Sequence, residues 1–526
     1  MRRLICVIGL CAIALAILAV PAKRGGIMRT ATDGTQRVVY LHGNEWFHYI
    51  TDAEGQWLDE SSLLPLSAEA KEARLASGKE RVRRIQQAKE SPGSRNLPPR
   101  GLMILVNFSD VRFTTPLDTI HNMINGDNFT RHYDYDYISG NGRRYQGTVD
   151  SRGSARQYFI DQSWGQYQPY FDVIGPVDLP KASTYYGQGS DSHIGEMVKA
   201  ACQAADALGV DFTQYDNDND NRVDIVYLLY AGYGAADSDN DDYIWPHNWD
   251  LSYAGITYSV DGKQVRNYAC SNEIQFGSDL YNGIGTFVHE FGHAMGLPDF
   301  YCTQSNPLGT TPHTLNDWDI MDYGPYNNEG NTPPAYSAYE RFFMGWLTPR
   351  VLTEPEEVSL GILNTTQEAL LMCAGDAHNL NGVNPNPATF YLLENRDLTG
   401  WDTHLPGQGL LITKIKYSSG KWSGNTVNND ASNMGVDIME AQPNTTDWGA
   451  PTDAYPAGAT SFTEFADHEI THIAQDAQGV ITFQYRMGQQ AVEDVETEAH
   501  ARKILRDGRV VIIRNGITYD LDGRQL

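Results

Sequence analysis

The sequence predicts an α+β chain of several units, with a helix-bearing central unit between a small N-terminal segment and a β-rich C-terminal one. Three observations lead there. At 526 residues the chain is too long for one core, since domains run to about 100–200 residues. Apolar runs at 101–108 and 224–231 alternate with segments of helical period. From about Val351 the texture changes to short alternating strands between Gly, Asn and Pro turns, as at 389–394 and 409–415.

The elements follow in chain order. Arg2 and Arg3 precede an apolar run from Leu4 to Val20, and Val20-Pro21-Ala22 offers small residues for a signal peptidase. Residues 1–22 are therefore expected to be a signal peptide cut after Ala22. Two strand patterns, 38–42 and 46–50, flank a Gly-Asn turn. A charged helical stretch follows over 68–90, then a Pro- and Ser-rich linker over 91–100. Residues 23–100 thus form a pro-segment ending in a cleavable linker, or a permanent N-terminal domain. The central unit, 101–350, opens on the strand at 101–108. Helices are expected at 154–162, 192–208, 284–296 and 335–347, with a central strand at 224–231. Residues 351–487 form the β-rich unit. An acidic linker and a tail of short strands, with Asp-Gly and Asn-Gly turns, occupy 488–526.

Composition excludes several classes. Hydrophobic residues make up 41% of the chain, which suits packed cores rather than disorder. Against 39 basic residues stand 66 acidic ones, a formal charge of -27. Such a surface repels phosphate backbones, so nucleic acid is not an expected partner. Beyond the N-terminal run no stretch is apolar enough to cross a bilayer, so no stable membrane insertion is expected. Cys202, Cys270, Cys302 and Cys373 remain after the signal and show no C-x-x-C spacing. Export would permit a bridge, and Cys270 and Cys302, which flank the motif described next, could form one.

The chemistry concentrates at His289-Glu290-Phe291-Gly292-His293. On a helix the two histidines lie one turn apart on one face, so both imidazoles can reach one zinc ion. Glu290 can then serve as general base toward a water at the metal. Gly296 can adopt a left-handed helix end, and Pro298 cannot continue the helix. That turn can swing Asp299 back as a third ligand, or the same carboxylate could brace the turn. A fourth position stays open for water, as catalytic zinc requires.

A second pattern, 216–224, places Asp216, Asp218, Asp220 and Asp224 at positions 1, 3, 5 and 9, with the Arg222 carbonyl at 7. Alternate oxygens of this kind can wrap Ca²⁺, although position 12 is Tyr227 rather than a bidentate Glu. A solvated acidic turn has the same composition.

The extended motif, H-E-x-x-H-x-x-G-x-x-D, is metzincin-like, with Asp299 where many metzincins have a third His. Followed by Phe300-Tyr301, it resembles the immune inhibitor A family of secreted bacterial zinc peptidases. Trp318-Asp319-Ile320-Met321-Asp322 resembles that family's Met-turn. Segments 154–159, 163–167, 171–177, 230–234, 244–247, 392–396 and 400–402 are similar to other family patterns. The resemblance covers roughly residues 101–470. It implies a metzincin-like zinc peptidase domain that hydrolyses protein or peptide substrates and is secreted or held at a bacterial cell surface as a zymogen. Tyr323, two residues after Met321, stands where astacin- and serralysin-like metzincins carry an oxyanion-stabilising Tyr; simple packing is the other reading. The tail resembles sorting modules read by a type IX secretion machine, which would make that machinery a partner.

Overall fold

The computed structural model describes residues 20–44, 47–87, 97–138, 144–238, 240, 242–276, 280–303, 314–443, 449–487, 502–506, 509–514, 517–521 and 523–526. The apolar run of the expected signal peptide up to residue 19, the linker at 88–96 and the acidic stretch at 488–501 lie outside them. So do the two turn dipeptides of the tail.

The N-terminal segment is an antiparallel sheet, β1 (Gly26–Thr30), β2 (Gln36–Asn44), β3 (Phe47–Thr51) and β4 (Trp57–Leu58), followed by helix α1 (Ala68–Gln87). The expected hairpin is β2–β3. Val39, Leu41 and Ile50 bury one face of this sheet together with Val20, Ala22, Ala235 and Trp245, so the segment packs on the central unit.

The central unit is built on β5 (Arg100–Asn107). Its side chains alternate: Met103 and Leu105 face one core, while Leu102, Ile104 and Val106 face another. Buried on both faces, the strand carries the continuous apolar run read from the sequence. Next come α2 (Leu117–Asn125), a hairpin of β6 (His132–Ile138) and β7 (Arg144–Asp150), α3 (Ala155–Gln162), β8 (Tyr170–Asp178), α4 (Ser183–Asp191) and α5 (Ile194–Ala207). The expected helix at 154–162 starts where predicted, because the Ser154 hydroxyl accepts from the Gln157 N–H at 3.1 Å. Then follow β9 (Arg222–Val223), β10 (Val226–Tyr230), β11 (His247–Asp250), β12 (Tyr258–Val260), β13 (Lys263–Val265) and β14 (Asn267–Asn272). Among the described residues the main sheet has the order β11-β14-β10-β5-β8. All its pairs are parallel except β11–β14, which makes β11 an antiparallel edge. Residues of α2, α3 and α6 (Gly285–Ala294) fill one core, and α5 covers the other face. The arrangement is a mixed α/β one, with helices on both faces of this sheet. α7 (Ala338–Met344) is shorter than the expected 335–347; a capping box of Ser337 and Glu340 starts it and Gly345, with φ 75°, ends it.

The C-terminal unit contains β15 (Arg350–Val351), β16 (Glu356–Leu360), α8 (Leu363–Thr366), β17 (Leu370–Cys373), β18 (Thr389–Arg396), β19 (Gly409–Lys416), α9 (Ser419–Ser423), β20 (Val436–Ile438), β21 (Ile470–Gln475) and β22 (Ile481–Tyr485). Two sheets, β15-β17-β18-β19-β20 and β16-β22-β21, share an apolar core. The outer face of the larger sheet is continuous with the core beneath α6: Leu371, Phe390, Leu392, Ile415 and Val436, with Trp422 of α9, join Phe291, Met321 and Tyr339 there. Among the described residues, apolar side chains from both sides of residue 350 share this core. A three-stranded meander, β23 (Arg502–Arg506), β24 (Arg509–Arg514) and β25 (Ile517–Tyr519), closes the chain. Cys202, Cys270 and Cys373 carry free thiols, so the pairing of Cys270 with Cys302 is not formed. Among the described residues no helix is long and apolar enough to cross a membrane.

Candidate metal centre and cleft

Helix α6 presents His289, Glu290 and His293 within the protein, at 0%, 0% and 4% exposure. Gly296 follows its C-terminal end with φ 108°, a conformation a side chain rarely tolerates, and its N–H donates to the His293 carbonyl at 2.9 Å. The chain reverses there, as the sequence allowed. Asp299 returns to the histidines, buried at 1% exposure.

The donor atoms form a small triangle. His289 Nε2 and His293 Nε2 are 3.0 Å apart, and Asp299 Oδ1 lies 3.3 and 3.2 Å from them. Tetrahedral zinc with bonds of about 2.0–2.1 Å sets its ligand atoms about 3.3 Å apart. The protonation pattern agrees. His289 Nδ1 faces the Ile320 carbonyl at 2.7 Å and His293 Nδ1 faces the Leu297 carbonyl at 2.8 Å, so each Nδ1 carries the proton and each Nε2 keeps its lone pair. Burial holds the His293 imidazole below its usual pKa, against the pull of Asp299. Burial also pushes the Asp299 carboxyl up, but the two imidazoles outweigh it and bring it down to about 2. Two neutral imidazoles and one carboxylate converge with no hydrogen-bond donor among them, a set that fits a divalent cation such as zinc.

The Met-turn lies beneath this triangle. A Cβ on Gly292 would stand 2.9 Å from Met321 Sδ, so glycine lets the methionine close up against α6. Phe300 N–H donates to the Met321 carbonyl at 2.8 Å, which ties the Asp299 segment to the turn. Two family-like segments of the C-terminal unit meet here as well. Arg396 pairs with Glu394 at 3.0 Å and with Asp402 at 2.6 Å, and Asp402 accepts from the Ala335 N–H ahead of α7.

The N-terminal segment lies against Glu290 and its neighbours. Val20 N–H donates to Glu290 Oε1 at 3.0 Å, Trp245 Nε1 donates to the Val20 carbonyl at 3.0 Å, and Tyr326 OH donates to the Pro21 carbonyl at 2.6 Å. Arg24 lies 3.5 Å over the Tyr323 ring and donates to Asn316 and Asp317. Lys23 pairs with Glu329 at 3.0 Å. Tyr323 is thus engaged through its ring by Arg24, and burial pushes its hydroxyl up to about 12. Tyr326 and Trp245, which touch the segment lying on Glu290, were not singled out from the sequence for that role. Trp245 falls in a family-like segment; Tyr326 gives no motif signal.

The acidic loop is different. Asp216, Asp218 and Asp220 come together with carboxylate oxygens within 4.8 Å. Lys263 Nζ sits 2.5 Å from Asp216 Oδ2 and holds that carboxyl below its ordinary pKa. Backbone N–H groups of Asp220 and Asn221 donate to Asp216, and that of Arg222 to Asp220. Asp224 turns toward Asn217, accepting from its N–H at 2.9 Å and from its side-chain amide at 2.6 Å. Arg222 lies in β9, beside β13.

Comparison with known proteins places part of this chain beside protease sequences, through one family model and a few relatives. Residues 90–347 match the family described as immune inhibitor A peptidase M6, catalytic domain. The matched segment is similar to M6 metallopeptidase catalytic domains. The chain is 26% identical over 218 residues to immune inhibitor A of Bacillus thuringiensis subsp. alesti, covering 36% of this chain and 31% of that protein. It is 26% identical over 219 residues to the pre-pro-metalloprotease PrtV of Vibrio cholerae serotype O1 strain M66-2, covering 36% of this chain and 23% of that one. The M6 match contains α6, Asp299 and the Met-turn, and it stops before β15.

Proposed function

We propose that the chain is a secreted zinc-dependent endopeptidase that hydrolyses peptide bonds in proteins. The observation that carries this reading is the buried triangle of His289, His293 and Asp299, with Glu290 on the same helix. His289 Nε2, His293 Nε2 and Asp299 Oδ1 would hold the ion. Zinc, when bound, lowers the pKa of water toward about 7 and polarises a carbonyl. Glu290 would take a proton from the attacking water and return it to the leaving amine. Tyr323 is the proposed donor toward the oxyanion, once Arg24 has left its ring.

Residues 23–100 would act as a pro-segment, with 101–350 catalytic and 351–487 a β-rich companion. In support, Lys23 and Arg24 of this segment engage Glu329 and Tyr323, and Val20 and Pro21 just before it engage Glu290 and Tyr326. A signal cut after Ala22 would remove the contact to Glu290 and leave those of Lys23 and Arg24. Export by the signal peptide, a Ca²⁺ ion at 216–224 and delivery through the tail 503–526 belong to the same reading. Removal of the tail should trap active enzyme in the periplasm if it is a sorting signal, and normal release would remove that role.

The deciding experiment incubates the activated protein with a mixture of unfolded proteins and maps cleavage by mass spectrometry. Internal cleavages that vanish with a chelator and return with zinc are expected. Absence of cleavage in fully zinc-loaded, processed protein would overturn the reading.

A further inference from the structure

Asp299 has two oxygens with different surroundings. Oδ1 faces the two imidazoles. Oδ2 accepts from Asn425 Nδ2 at 2.6 Å, and Asn425 Oδ1 accepts from the Asp299 backbone N–H at 2.8 Å. One side-chain amide therefore grips the same residue at its backbone and its carboxylate, across 126 positions of sequence. The grip is rigid. Asn425 is buried at 1% exposure and sits at φ 50°, a left-handed conformation that Asn adopts more readily than most residues. Its carbonyl accepts from Thr303 Oγ1 at 2.6 Å. Three positions on, Asn428 donates to the Phe300 carbonyl and to the Val436 carbonyl, both at 2.7 Å, which fastens the loop to β20.

We infer that Asn425 is the positioning residue of the metal centre, and that the β-rich unit outside the M6 match supplies it. An amide donor on Oδ2 leaves Oδ1 as the oxygen available to the ion, so the carboxylate would bind through one atom. The paired contact to the backbone N–H fixes the angle at which that atom approaches. Outer hydrogen bonds of this kind orient a ligand, and their loss typically costs about 10–100-fold in metal affinity. The inference rests on Asp299 being a zinc ligand.

Two variants of the full chain test it. Asn425→Gly removes the amide at a position where glycine keeps the backbone at ease. Asn425→Asp keeps shape and Oδ1 but places an oxygen against Oδ2. Zinc affinity is read by chelator competition, ligand geometry by the visible spectrum of the Co²⁺-substituted protein, and fold by the melting temperature of the metal-free chain. Expected are zinc binding weaker by about 10–100-fold, an altered Co²⁺ spectrum and an unchanged metal-free melting temperature. Parental affinity and spectrum in both variants overturn the inference. So does a loss of zinc accompanied in both by a lowered metal-free melting temperature, which would make Asn425 a brace of the fold. Asp299→Ala runs alongside: if it keeps parental zinc affinity, the ligand reading itself falls, whereas zinc loss there with parental Asn425 variants removes only the role of Asn425.

Discussion

The two groups of potential metal ligands in the central unit have similar spacing and opposite chemistry. In the loop 216–220, Asp216 is met by the Lys263 ammonium and by two backbone N–H groups, and Asp218 and Asp220 are exposed to water. At α6, Asp299 Oδ1 faces two imidazole nitrogens whose protons sit on the far side of the rings, out of contact with water. The first cluster has its compensating charge within the chain. The second consists of acceptors, and under the proposed function an ion would supply the compensation. An acidic cluster is thus a metal signal only when donors and acceptors are counted together, since a buried charge with no partner costs several kcal/mol.

The largest expected effect breaks the second region at two points. Glu290→Gln should lower kcat by about 10²–10⁴, the usual worth of general acid–base catalysis, with zinc content unchanged. Asp299→Ala should instead lower zinc content, because it removes one of three ligands. Metal analysis beside a peptide-cleavage assay separates them. Near-parental activity in the Gln variant would take the base away from Glu290.

A third way to compensate a carboxylate sharpens the contrast. Asp319 and Glu340 are fully buried near the Met-turn. Burial, with the like charge of Asp322, pushes Asp319 up to about 8 despite the Met321 N–H on its Oδ1. Burial and the charge of Asp319 hold Glu340 well above the carboxylate range. Here a proton does what Lys263 does in the loop. Because the folded state binds this proton more tightly than the unfolded chain, the contribution is complete below about pH 4 and is lost as pH rises toward 8. Asp319→Asn should therefore lose less stability than the parent between pH 5 and pH 8. Denaturant midpoints at the two pH values check it, and equal losses would mean that Asp319 carries no excess proton.

The legible part of the molecule was the local part. His289, His293, Gly296 and Pro298 lie within ten residues, where helix geometry alone decides which atoms meet. The strand at 101–108 declared itself because it is buried on both faces. The loop's own carboxylates were also local, but Lys263 comes 39 positions after Asp224 and nothing in a run of aspartates announces it. Asn425 and the reach of Val20 to Glu290 were illegible for the same reason: each depends on tertiary packing between units. Asparagine and tyrosine are frequent enough that no spacing singles them out. The segments 392–396 and 400–402 stand out in the sequence only by family resemblance, and the buried pairing of Arg396 with Glu394 and Asp402 supplies a physical reason for them.

The smallest expected effect concerns the loop, and it decides whether Lys263 replaces a metal or merely competes with one. Asn219 and Asn221, at φ 63° and 68°, already curl the backbone around the three carboxylates. If the loop takes Ca²⁺, the ion must displace the ammonium from Asp216 Oδ2, so affinity is reduced by the broken ion pair. Saturating Ca²⁺ at a hundred times Kd would then add about 2.7 kcal/mol, a rise of a few degrees in melting temperature for a domain of this size. Lys263→Met removes the competitor. It should lower the melting temperature without Ca²⁺, because Asp216 loses its partner, and should enlarge the rise on adding Ca²⁺. Asp216→Asn with Asp218→Asn should abolish that rise in either background. The opposite pattern, a lower melting temperature in Lys263→Met that Ca²⁺ does not restore, would make the ammonium the permanent occupant and leave the loop without a metal.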